Sequence, residues 1–248
     1  MLIFAAGALG AILGSFLNAL LFRYNTGLSV LKGRSKCMRC GHTLAAIDLV
    51  PVLSYLSLQG RCRYCHTRIS WQYPLVEATA AGLAIMTYIF HPEPGAFAFW
   101  FAVHLVLLFI FVYDLRHKVI PWSASLMLMA LAVGYLVAIQ PPLYDVFAGV
   151  VLALPLFLFS AVSGGKWMGW GDAPLELSLG SLLGLTMGLS ALFMAFWLGA
   201  LVGIGLIVAA KGYRMRSEIP FAPFLIAGAW IAYFLHVDFF PLLPYFLS

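Results

Sequence analysis

The chain alternates between long apolar runs and short polar breaks. Runs suited to crossing a bilayer fall at about 2–22, 75–90, 96–113, 122–140, 145–163, 173–188, 190–210 and 221–237. A hydrocarbon core of about 30 Å asks for roughly 20 apolar residues in a helix, and only helices and closed barrels satisfy the backbone there. The boundary between 173–188 and 190–210 rests on a weak turn at Met187-Gly188-Leu189-Ser190. The one sizeable polar stretch is 23–73. The expected fold is all-α: a polytopic membrane protein with about eight transmembrane helices and a small hairpin domain. It divides into a first transmembrane helix (1–22), the hairpin (23–73) and a helical core (74–248).

Composition agrees with a membrane protein. Of 248 residues, 63% are hydrophobic and only 9% charged, where soluble domains run near a quarter charged. The positions of the charges say more than the net +5. With eight helices and the N-terminus outside, all 14 Lys and Arg fall in loops on one side. They run from Arg23 to Arg68, then Arg116 and Lys118, then Lys166, then Lys211, Arg214 and Arg216. The opposite loops hold Glu93, Asp145 and Asp238. The positive-inside rule therefore puts the hairpin in the cytoplasm. Basic residues on both sides of 173–210 require that run to cross twice. Topology accounts for the basic residues, so no nucleic-acid partner is expected. Residues 1–22 have no basic residue ahead of them and no small-residue cleavage pattern, so no cleavable signal peptide is expected. The tail PLLPYFLS suits the outer interface. No internal repeat is evident.

The only four cysteines form two C-x-x-C knuckles, Cys37-Met38-Arg39-Cys40 and Cys62-Arg63-Tyr64-Cys65. Two such knuckles about twenty residues apart suit tetrahedral thiolate zinc, and a reducing cytoplasm argues against disulfides. His42 and His66 follow the knuckles, but four thiolates complete the set. A closed four-ligand site keeps no open position, so the metal is expected to be structural. Between the knuckles, Val50, Val52, Leu53, Leu56 and Leu58 form either a face lying on the membrane or helix bundle, or the hairpin's own core.

Candidate chemistry lies in two aspartates. Asp114 ends one apolar run in FVYDLRHKVIP, and Asp172 opens another after Gly169-Trp170-Gly171. A carboxylate at the mouth of a membrane helix is costly and needs a reason. Taken alone, Asp172 reads as a helix N-cap with Pro174 following. Both aspartates, however, are expected at the same membrane depth, near the cytoplasmic surface. Two carboxylates brought within a few ångström share a proton. One then serves as general base on water while the other protonates the scissile carbonyl. That is peptide hydrolysis without a metal or covalent intermediate. No Ser-His-Asp grouping or phosphate loop offers a rival. His104 and His117 read as structural. Ser15 and Asn18, inside the first run, suit interhelical hydrogen bonds or a methyl-donor site.

These residues resemble the prepilin peptidases, polytopic aspartic proteases of the G-x-G-D group. The resemblance runs through GSFLNALLFR (14–23), DLVPVLSYL (48–56), GRCRYC (60–65), YPLVE (73–77), DLRHKVIP (114–121), GWGD (169–172) and IPFAPFLIAG (219–228). It implies that Asp114 and Asp172 are the catalytic pair and that Cys37, Cys40, Cys62 and Cys65 hold zinc. It further implies cleavage of the basic leader of prepilins or pseudopilins after a glycine, at the cytoplasmic face of the bacterial inner membrane. Many members then N-methylate the new N-terminus with S-adenosylmethionine, an activity tied to the cysteine domain. The Rossmann fingerprint is absent, so the residues themselves do not place the methyl donor.

The chain departs from the family at Pro174, where a lysine is usual. Met1 stands close to the first run, so no longer N-terminal arm is expected. A basic leader suits acids such as Glu77 or Glu176; Glu77 suits a helix-end hydrogen bond equally. Two other readings stand beside the peptidase: a catalytically silent zinc-bearing scaffold, and a protease cutting within substrate helices.

Overall fold

The structure, a computed structural model, describes residues 1–27, 29, 35–209 and 219–243. Among these the regular structure is helical, as expected, with two isolated β-bridges, Lys36–Thr43 and Arg61–Arg68. Six helical segments are long and apolar enough to cross a membrane. They are α1 (Leu2–Arg23), α3 (Gln72–Phe90), α4 (Pro94–His117), α5 (Trp122–Ile139), the consecutive α6 (Leu143–Val146) and α7 (Ala148–Ser163), and α9 (Leu185–Ala209). The other two expected spans are shorter, α8 (Asp172–Leu183) with 12 residues and α10 (Ala222–Leu235) with 14. A five-residue helix, α2 (Leu53–Ser57), lies in the hairpin. Every apolar run has its helix, but six rather than eight reach spanning length. Lys32, Arg34, Lys211, Arg214, Arg216 and residues 244–248 of the tail lie outside the described residues.

The break expected at 187–190 falls instead at Gly184, whose φ of +77° suits a residue without a Cβ. The reason is tertiary. The Asp145 carboxylate accepts the Leu185 N–H at 2.8 Å, satisfying the start of α9 from a segment 40 residues away.

The chain forms two compact units, Met1–Phe109 and Ile110–Ser248. In the first, α1 packs closely on α3. A Cβ on Gly10 would sit 2.7 Å from the Ala84 methyl, and one on Gly14 would sit 2.8 Å from that of Ala80. Small residues on both helices let the backbones approach, which drives helix pairing where lipid removes the hydrophobic incentive. Buried Asn18 stitches the same pair, donating to the Tyr73 carbonyl at 3.1 Å.

In the second unit α8 is the central post, in contact with α5, α7, α9 and α10. Gly149 of α7 lies against the Leu177 carbonyl and the Ser181 hydroxyl, and Gly228 of α10 lies against the Ala191 carbonyl of α9. Leu175, Leu179 and Leu182 are buried, and so are Ser178 and Glu176. The buried hydroxyls are satisfied within the helix, Ser178 donating to the Pro174 carbonyl at 3.1 Å and Ser181 to the Leu177 carbonyl at 2.9 Å, so a polar-studded α8 can be packed among its neighbours. Its N-terminus is thereby fixed, and with it Asp172.

Candidate active site and metal centre

Asp114 lies in the last turn of α4 and Asp172 is the first residue of α8, and they are only 4% and 5% exposed. The structure brings them together: their carboxylates are close enough to act on each other's charge. Each also receives a backbone donor. The Gly169 N–H reaches Asp172 Oδ2 at 3.1 Å, and the Ala222 N–H donates to Asp114. Ala222 opens α10, so the positive end of that helix faces the Asp114 carboxylate. The sequence of this stretch, IPFAPFLIAG, carries no acidic or nucleophilic residue to single it out. Its signal was Pro223, the proline early in the helix.

The N-cap reading of Asp172 does not hold. Gly171 occupies the cap, and no side chain caps the helix. Asp172 bonds backwards into its own loop, and Pro174 has no N–H to offer forwards. The loop is itself pinned. Ser160 Oγ lies 3.1 and 3.2 Å from the Met168 and Gly169 carbonyl oxygens. A Cβ on Gly171 would come 2.9 Å from that of Ile120, so glycine is required for the loop to lie on the DLRHKVIP segment.

Neither acid offered for a basic leader faces solvent. Glu176 is 2% exposed, one turn below Asp172. Glu77 is buried and accepts the Val52 N–H at 2.7 Å and the Ser15 hydroxyl. Ser15 and Asn18 both serve contacts between α1 and neighbouring elements. His104 is buried beside Trp100, and the His117 ring packs at a tilt against Tyr113 with ring centroids 4.4 Å apart.

The four cysteines converge, with their sulfurs all within 4.8 Å of one another. Cys37 Sγ and Cys65 Sγ are 3.8 Å apart, close to the edge of about 3.8 Å that a tetrahedron with Zn–S of about 2.3 Å requires. The two knuckles are built alike. Cys37 donates its N–H to the His42 carbonyl and Cys62 to that of Thr67, each at 2.9 Å. The residue after each second cysteine turns left-handed, Gly41 at φ +70° and His66 at φ +55°. Backbone N–H groups of Cys40 and Arg39 hold the Cys37 thiol down to about 6, favouring the thiolate that binds metal. Asp48 braces the second knuckle, accepting from Arg63 Nε at 2.6 Å and from the Tyr64 hydroxyl at 3.0 Å.

A multi-pass helical protein with two buried aspartates near each other and a four-cysteine cluster fits the class of membrane-embedded peptidases, and the comparisons with known proteins say which family it is. Residues 8–91 match the bacterial peptidase A24 N-terminal domain, and residues 101–204 match the type IV leader peptidase family. A Burkholderia pseudomallei protein named prepilin leader peptidase/N-methyltransferase is 36% identical over 218 residues, covering 85% of this chain and 70% of its own length. A Bacillus subtilis protein of the same name is 34% identical over 231 residues, covering 90% of each. One from Aeromonas salmonicida is 33% identical over 218 residues, covering 85% of this chain and 72% of its own. No solved structure matches. The chain belongs to the type IV leader peptidase family.

Proposed function

We propose that the chain is a prepilin leader peptidase and N-methyltransferase in which Asp114 and Asp172 are the catalytic pair. The observation that carries this reading is two buried carboxylates at the ends of α4 and α8, close enough to act on each other's charge and each holding one backbone N–H. The substrates are prepilins or pseudopilins, subunits of a pilus or secretion system, cut after the glycine that ends their basic leader. Such a substrate carries its own apolar helix, so the enzyme meets it in the bilayer and cuts at the surface, where water reaches the aspartates.

The pair shares one proton. The ionised carboxylate takes a proton from water as the oxygen attacks the scissile carbonyl. The protonated partner gives its hydrogen to the carbonyl oxygen, and the tetrahedral adduct collapses as the leaving amine takes a proton. The Gly169 and Ala222 amides orient the two carboxyl groups throughout.

The hairpin at 23–73 binds one zinc ion through Cys37, Cys40, Cys62 and Cys65, and the helical core at 74–248 carries the protease. The fit of the sulfur spacing to tetrahedral thiolate supports zinc. Bound there, it ties the two knuckles together and leaves no position for substrate. N-methylation of the new N-terminus, with S-adenosylmethionine as methyl source, accords with the name its relatives carry. The one-sided distribution of Lys and Arg supports a bacterial inner-membrane location with site and hairpin on the cytoplasmic face.

Mass spectrometry of a candidate prepilin, incubated with enzyme and methyl donor, tests both activities at once. The expected product has lost its leader and gained one methyl mass. No cut by the wild type, or normal cutting by Asp114→Asn and Asp172→Asn, overturns the reading. A cut deep within the substrate helix would replace it with a broader intramembrane protease.

A further inference from the structure

The hairpin leaves an apolar face uncovered. Ile47, Leu49, Val50, Leu53 and Leu56 are all exposed, Leu53 by 65% and Leu56 by 62%. Of the five residues that suited either an outward face or the hairpin's core, Val50, Val52, Leu53, Leu56 and Leu58, none is buried. The core place is taken by Tyr55, which lies over Gly60 and against Trp71 with ring centroids 5.3 Å apart.

A hydrogen bond to α3 sets the depth of this face, alongside the Tyr55–Trp71 contact. Val52 donates its N–H to Glu77 Oε2 at 2.7 Å. Helix α3 has 19 residues, or about 28 Å at 1.5 Å per residue, barely the thickness of about 30 Å it must cross. It has no length to spare outside the bilayer. Glu77, the sixth residue of α3, sits about 8 Å in from the helix start, and the Val52 backbone shares its level. Val52 is bent to make this contact. Its φ and ψ are +60° and −49°, and Leu53 N–H closes on the Pro51 carbonyl at 2.6 Å. That is a γ-turn of the rare hand, strained for a β-branched residue. Strain of this kind persists only where the surroundings enforce it.

We propose that residues 46–57 form a wedge seated in the lipid leaflet on the hairpin's side, held at depth by Glu77. The occupant of the apolar face is lipid. The exposed basic residues of the same hairpin, Lys36, Arg39, Arg61 and Arg68, suit anionic headgroups at the surface above it. The four-cysteine cluster then rides at a set height on the membrane.

The test uses the full chain in vesicles of phosphatidylcholine and phosphatidylglycerol, with a benzophenone amino acid placed singly at Leu53, Leu56 or, as control, exposed His42. Illumination is expected to give lipid adducts at 53 and 56 severalfold above those at 42. Equal yields at all three sites, or adducts at 53 and 56 mainly to protein, overturn the proposal. Glu77→Leu removes the acceptor and is expected to lower the lipid yield at 53 severalfold, whereas Glu77→Gln keeps an acceptor and the yield. If Glu77→Leu fails to fold, the comparison of 53 and 56 with 42 in the wild-type background still decides. The readout does not depend on cleavage or methylation, so it stands or falls apart from the enzymatic reading.

Discussion

The Gly169 amide donates to Asp172 Oδ2 at 3.1 Å, so the second aspartate is folded back onto its own glycine loop instead of capping its helix. Asp114 is held in the same manner by the first amide of α10. Both carboxyl groups are therefore oriented before any substrate arrives. Replacing either by asparagine keeps the shape but removes the proton chemistry. Asp114→Asn and Asp172→Asn are each expected to lower prepilin cleavage by about 10²–10⁴-fold, the usual worth of general acid–base catalysis. Thermal melting should stay close to wild type. Cleavage by either variant at the wild-type rate would remove that residue from the mechanism.

The two loop glycines should respond differently to alanine. A Cβ at Gly169 would lie 3.3 Å from Asp172 Oδ2, whereas one at Gly171 would lie 2.9 Å from the Ile120 Cβ. The first contact crowds a carboxylate with some room to turn. The second meets a β-branched side chain anchored at its own backbone. Gly169→Ala is expected to lower kcat with little change in melting temperature. Gly171→Ala is expected to destabilise by about 1–3 kcal/mol, as overpacking does, and to lower activity with it. Paired melting and kinetic measurements on detergent-solubilised enzyme separate the two.

Much of this was legible in the chain because apolar runs and rare charges are strong signals. Each apolar run became a helix. Few acids stand near helix ends, so Asp114 and Asp172 stood out, and the knuckle spacing announced the cysteine cluster. What the chain hid was set by distant partners. Gly184, not Met187–Ser190, breaks the α8–α9 run because Asp145 caps Leu185 from across the unit. Basic residues on both sides of 173–210 asked that run to cross twice, but α8 has only 12 residues and α10 only 14, and α8 is mostly buried among its neighbours. Glu77 suited a basic leader and a helix-end hydrogen bond equally; the second is what forms, with the Val52 amide at the start of α2, and no local pattern foretells a γ-turn at a valine.

Removing the metal should damage one unit before the other. All four sulfurs belong to the unit Met1–Phe109, while both aspartates belong to Ile110–Ser248. Metal analysis should find about one zinc ion per chain, as a closed tetrahedral site requires. Cys62→Ser with Cys65→Ser should lose it and loosen the hairpin, since the free energy of structural zinc is folding free energy. Methyl transfer should fall with the metal, and cleavage by the aspartate pair should fall less. Wild-type protein without zinc, or the double variant with full zinc, would contradict the assignment of these ligands.

Asp48 gives the hairpin a dependence on pH that can be worked out in sign. The Arg63 guanidinium holds its carboxyl below the ordinary carboxylate range, with help from the Ala45 amide and the Tyr64 hydroxyl. A carboxylate favoured in the folded state contributes stability above its unfolded value, about 3.9 for aspartate, and loses it as pH falls through the lower folded value. Asp48→Asn is therefore expected to weaken the second knuckle by the same amount at pH 5 and pH 7. Because Arg63 is 43% exposed, solvent screens the pair and the effect should be small. Amide hydrogen exchange at Cys62 and Thr67 in the zinc-loaded protein measures it. A penalty that vanishes between pH 7 and pH 5 would show that the ion pair to Arg63 is not what holds this turn.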